Sequence, residues 1–151
     1  FNAPGQIVIA GAAAAVARAC EAATMAGARR ALPLPVSVPS HCALMREAAD
    51  RLHDELQSVS VSSPRVPVWH NADVTTHDTP EAIRDSLARQ LWQPVQWTRT
   101  IETLGHQGTA HFVECGPGKV LAGLNKRIVR GADFTVLDSR EAMKQLMEEL
   151  T

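Results

Sequence analysis

The sequence predicts an α/β protein. Short β-rich runs bounded by Gly and Pro alternate with longer stretches of helical periodicity. The composition, 45% hydrophobic and 21% charged over 151 residues, suits a chain with a real core. No repeat, low-complexity block or long linker interrupts the alternation.

Taken in order, residues 6–10 (QIVIA) follow a Pro-Gly turn and read as a strand ended by Gly11. Residues 12–26 are Ala-rich without Gly or Pro, which favours a helix, and Gly27 is placed to stop it. Residues 31–38 (ALPLPVSV) alternate apolar residues with small residues or prolines, the pattern of an edge strand. These three segments make a β-α-β unit, whose strand edges are expected to lack partners. Pro39-Ser40-His41 is a turn. Residues 42–56 then place Leu44, Met45, Ala48, Ala49, Leu52 and Leu56 at helical spacing.

Residues 66–69 form a short strand between prolines. Thr79-Pro80-Glu81 combines an N-cap, a first-position Pro and an acidic first turn, opening a helix to about Trp92. Pro94 is expected to open another, through about Gln107. Residues 111–115 (HFVEC) are a strand, and Gly116-Pro117-Gly118 turns into a helix over about residues 119–129. Residues 134–137 are a last strand, and Ser139 caps a last helix.

A net charge of −1 gives no pull toward nucleic acid or an anionic membrane. No apolar run reaches the roughly 18 residues that a membrane helix needs. Three cysteines, Cys20, Cys42 and Cys115, lie far apart and outside any CxxC. That argues against a disulfide framework and a structural zinc site, and for a reducing, cytoplasmic location. The chain opens on Phe1, and residues 1–5 read as the tail of a strand entering a turn, so it is expected to begin inside a larger fold.

His41 is the leading candidate for chemistry. It sits in a turn directly ahead of a helix, and a neutral imidazole near a nucleophile is a general base. The competing reading is an ordinary polar turn residue. Ser37, Ser40 and Cys42 lie beside it, but neighbours in a turn diverge, and the chain contains no GxSxG elbow. Cys42 reads better as a small apolar residue of the first helical turn. His53, His70, His77, His106 and His111 form neither HxxxH nor HExxH, so no metal is expected and surface or edge positions are the better reading. Gly116-Pro117-Gly118-Lys119 lacks phosphate-loop spacing, although the following helix N-terminus could attract an anion. Arg29 and Arg30 suit a helix C-terminus. Trp69, Trp92 and Trp97 read as packing residues.

Four segments resemble one family. Residues 2–11 (NAPGQIVIAG) resemble the NxPxQxVIAG segment of malonyl-CoA:acyl-carrier-protein transacylases. Residues 34–45 (LPVSVPSHCALM) are similar to their LPVSxPSHCxLM segment. Residues 90–97 (QLWQPVQW) resemble QLxxPVxW, and residues 114–121 (ECGPGKVL) resemble ExGPGxVL. The segments follow the family's order and span nearly the whole chain.

The resemblance implies a C-terminal half of such an enzyme. Residues 1–38 would be the second half of a ferredoxin-like small subdomain, and 39–151 part of an α/β-hydrolase-like large one. In the family a serine in a GHSxGE segment attacks malonyl-CoA, and the histidine corresponding to His41 activates it. Gln90 matches the residue whose main-chain carbonyl holds that ring. The malonyl-serine then passes its acyl group to the phosphopantetheine thiol of acyl carrier protein, in fatty-acid biosynthesis and without a cofactor. Ser40 and Asn71 would line the substrate site. His70 stands where bacterial members often carry Asn.

The GHSxGE segment, the N-terminal GQG segment of the oxyanion hole and the malonyl-binding Arg are all absent from these residues. The implied partners are therefore malonyl-CoA, acyl carrier protein and the missing N-terminal half. Three further readings stay open. One is a non-catalytic module that binds carrier protein through Arg29, Arg30, Lys126 and Arg127. Another is a polyketide-type acyltransferase using another acyl-CoA. The last is a self-contained Cys42–His41 enzyme.

Overall fold

The computed structural model describes residues 1–149, and these form two compact units. One is Val8–Val95; the other joins Phe1–Ile7 to the residues from Gln96 onward. Helices and two small sheets make up both, an α/β composition as expected.

The Val8–Val95 unit opens with α1 (Ala13–Met25). Its end is a full Schellman closure: Gly27 takes φ 90°, its N–H returns to Thr24 O, and Ala28 N–H returns to Ala23 O. No residue of α1 is buried. The β-α-β unit expected around it does not form. Among the described residues, 7–10 and 31–38 have no strand partner, and an isolated Ala3↔Gln6 bridge lies nearby in the sequence. The reason is donor supply as much as missing partners. Pro33, Pro35 and Pro39 have no N–H to give. Val36 and Ser40 spend theirs locally, on Leu34 O and Val38 O.

A 3-10 turn (Ala43–Met45) leads into α2 (Arg46–Gln57). β1 (Trp69–His70) and β2 (Thr75–Thr76) form a small antiparallel hairpin; the strand expected over residues 66–69 meets it only at Trp69, and β2 was not expected. α3 (Pro80–Arg89) starts as its signals say: Thr79 Oγ1 accepts from Ala82 N–H, with Pro80 at the first position. It stops three residues before Trp92, where Leu91 and Trp92 N–H both close tight i−3 bonds. α2 and α3 pack together. Arg84 donates to the carbonyls of Leu56, in the last turn of α2, and Val59, just past it, and His53 meets Asp85 at 2.9 Å.

In the other unit, α4 (Trp97–His106) begins later than Pro94, and Phe1 O accepts from Thr98 N–H in its first turn. β3 (His111–Cys115), α5 (Val120–Ile128) and β4 (Asp133–Leu137) form a β-α-β with parallel strands. Phe112 and Phe134 face each other in register with rings 5.4 Å apart. Trp97 Nε1 donates to Asn125 Oδ1 at 2.8 Å, tying α4 to α5. α6 (Arg140–Glu149), capped by Ser139 Oγ, packs on β4. Among the described residues no helix is long and apolar enough to cross a membrane.

Candidate active site

The end of α3 carries the site. A helix leaves its last carbonyls without intrahelical partners, and here two consecutive ones are taken by a single residue. Gln90 O lies 2.8 Å from His41 Nδ1, and Leu91 O accepts from His41 N–H at 2.8 Å. A carbonyl oxygen can only accept, so Nδ1 carries the ring proton and Nε2 of the neutral ring keeps its lone pair. His41 pays for this pose with φ 63°, a left-handed backbone costing roughly 1–2 kcal/mol for a residue with a Cβ. The two bonds offset that cost. Arg46, at the start of α2, stacks on Trp92 at 4.0 Å from the ring centroid, holding the same two chain segments together.

The hairpin is fastened to the same end of α3. Arg89 donates to Asp73 Oδ2 at 2.7 Å, and His77 Nε2 donates to the same oxygen at 2.9 Å. Gln90 Nε2 lies 3.4 Å from His70 Nδ1, and the His70 and His77 rings stand 5.0 Å apart. His70 is buried, at 4% exposure, which corrects the expectation that it is a surface or edge histidine. Burial lowers its pKa, helped by the fields of His77 and Arg89 and opposed by Asp73. Burial pushes the Asp73 carboxyl upward, but the His77 bond and Arg89 outweigh it and the net shift is downward.

Of the other candidates, Ser40 is exposed in the turn beside His41. Asn71 follows His70 in the hairpin, and its Oδ1 is buried without a hydrogen bond among the described residues. The thiol of Cys42 donates to Pro39 O at 3.1 Å, which suits its reading as a packing residue. The GPG turn holds an anion of its own: both Glu114 carboxylate oxygens accept from the start of α5, from Leu121 and Ala122 N–H at 3.1 and 2.7 Å. No external anion is needed there. Arg127 is bound to Pro4 O and Gln6 Oε1, both at 2.7 Å, and so is engaged within its own unit. Among the described residues no group of three His, Cys, Asp or Glu could hold a metal. The Asp73–Arg89–His77 cluster went unseen in the sequence. No spacing rule links residues 73 and 77 to residue 89.

No family model matches the chain. It is 54% identical over 148 residues to the malonyl CoA-acyl carrier protein transacylase of Escherichia coli, covering 98% of this chain and 48% of that protein. Over nearly its whole length the chain is similar to malonyl CoA-acyl carrier protein transacylases. The Bacillus subtilis member is 38% identical over 150 residues, covering 99% of this chain and 47% of that one. Among solved structures, a malonyl-transacylase in complex with its type II PKS acyl-carrier protein superposes with TM-score 0.96 at 48% identity, over 99% of this chain and 48% of that one. The chain thus spans about half the length of the curated relatives it matches.

Proposed function

We propose that these residues are the histidine-bearing half of a malonyl-CoA:acyl-carrier-protein transacylase of fatty-acid biosynthesis, with His41 its general base. The observation that carries this reading is the 2.8 Å contact of His41 Nδ1 with Gln90 O. It commits the ring proton to Nδ1 and leaves Nε2 to take a proton, the task an Asp usually secures in a catalytic triad. Gln90 performs it through its backbone.

In the proposed reaction a serine from the family's remaining length attacks the malonyl thioester while Nε2 accepts its proton. The imidazolium returns that proton to the departing CoA thiolate. In the second half-reaction Nε2 takes the proton of the phosphopantetheine thiol, which attacks the malonyl-serine, and gives it back to the serine oxygen. No cofactor is required. Ser40 and Asn71 line the substrate side, and the acyl carrier protein is the acceptor, as the solved relative bound to its carrier protein supports. Within this reading, residues 1–38 belong to a ferredoxin-like subdomain and 39–151 to an α/β-hydrolase-like one, the enzyme is cytoplasmic, and the missing N-terminal half completes the site.

The test is His41→Ala in the full-length enzyme. Malonyl transfer is expected to fall by about 10²–10⁴-fold. Turnover close to that of the parent would remove His41 from the mechanism.

A further inference from the structure

Gln90 is bonded at both ends. Its carbonyl meets the His41 ring at 2.8 Å, and its side-chain amide reaches His70 Nδ1 at 3.4 Å. We propose that His70 is a positioning residue for His41, acting through Gln90; this deepens the functional reading above and rests on it for its consequence in catalysis.

Gln90 is the C-cap of α3, where helices fray. A frayed cap would swing its carbonyl away from His41 and release the ring to exchange tautomers. Two neighbouring residues resist this by pinning the cap to the hairpin, Arg89 through Asp73 and Gln90 through His70. The His70 end is the rigid one. It is buried, and β1 pairing fixes its backbone opposite Thr75. Its Nδ1 can accept from the Gln90 amide only while unprotonated, with the ring proton on Nε2. The downward pKa shift that burial imposes favours the neutral ring, and the Gln90 amide at Nδ1 selects the tautomer with its proton on Nε2.

The chemistry required at position 70 is therefore a short-armed acceptor aimed at the amide of residue 90. Asn meets it as well, because its Oδ1 sits where an imidazole Nδ1 does. Leu cannot.

The test uses the full-length enzyme with ¹⁵N-labelled histidine, following the His41 ring by two-bond ¹H–¹⁵N correlation alongside steady-state kinetics. The parent should show a pure Nδ1–H tautomer at His41. His70→Leu should give a tautomer mixture and lower kcat by about 10- to 100-fold, with KM for malonyl-CoA changed by less than about twofold. His70→Asn should restore both signals. Gln90→Leu keeps the carbonyl and removes only the amide, at a half-buried position, so it serves if His70→Leu fails to fold. It should match His70→Leu, and the double variant should be no worse than either single. An unchanged Nδ1–H signature in both Leu variants would overturn the positioning role whatever the activity. The tautomer readout needs no turnover, so it stands apart from the His41→Ala test of the function itself.

Discussion

His70 and Asp73 face acid from the same hairpin. Each has a folded pKa below its ordinary value, 6.5 for His70 and 3.8 for Asp73. For His70 the folded state binds its proton less readily than the unfolded chain does. Its stabilisation is present above about pH 6.5 and is lost as pH falls through the lower folded value. Asp73 acts in the same sense further down, with stabilisation present above about pH 3.8 and lost below. Measured on the full-length protein, as are the variants that follow, urea midpoints should therefore decline from pH 7.5 to pH 5, and His70→Asn should flatten that upper part of the curve. A midpoint that rose on acidification, or a slope untouched by His70→Asn, would contradict the burial argument. At this scale the resemblance paired His41 with the Gln90 carbonyl, and the structure places the two 2.8 Å apart. The sequence did not disclose His70, because burial depends on neighbours far along the chain.

Helix termini show how local chemistry sets an element. Glu114 caps α5 from the preceding strand by accepting two of its free N–H groups. Glu114→Ala should cost about 1–2 kcal/mol in urea unfolding, with Glu114→Gln intermediate because an amide keeps one acceptor oxygen. No loss in the Ala variant would show that water serves those donors equally well. α4 poses a contest of signs at Gly105. Alanine there would gain roughly 0.8–1 kcal/mol of helix propensity. Its Cβ, however, would stand 3.0 and 3.2 Å from the two methyls of Val129, a β-branched side chain with little rotamer freedom. Overpacking of about 1–3 kcal/mol should prevail, so Gly105→Ala is expected to destabilise the protein. In a Val129→Ala background the same change should stabilise it. Melting temperatures of the four proteins decide the point.

For the whole molecule, the core is thin. Among the described residues the buried hydrophobic ones are Ala3, Ala49, Ala88, Ile101, Ala122, Leu124 and Leu146, and three of these are large. Ile7, Val8, Ile9, Leu32, Leu34 and Val36, which flank α1 in the sequence, are exposed, and no residue of α1 is fully buried. At about 1.5–3 kcal/mol for each large apolar side chain buried, these residues forgo much of the stabilisation that their composition could supply. The 151-residue chain by itself should therefore melt without a sharp cooperative transition and bind a hydrophobic dye. Cooperative, reversible melting with a calorimetric enthalpy near 0.7 kcal/mol per residue would contradict this.

The sequence by itself determined the features that depend on near neighbours. Thr79-Pro80 and Ser139 cap their helices, Gly27 closes α1, and residues 111–137 form a strand, a helix and a parallel strand because each signal acts within a few residues. It overcalled residues 6–10 and 31–38, since a strand is a property of a pair and the second member is supplied from elsewhere or not at all. The resemblance named the Gln90 carbonyl as the partner of the His41 ring, whereas tertiary structure alone disclosed the contact of Gln90 with His70 behind it. The bond from the ring to Gln90 O spans 49 positions and the one from Gln90 to His70 spans 20. Neither distance has a periodicity to betray it. A helix end left with spare carbonyls can be completed by any donor the fold brings near, and only the fold selects which one.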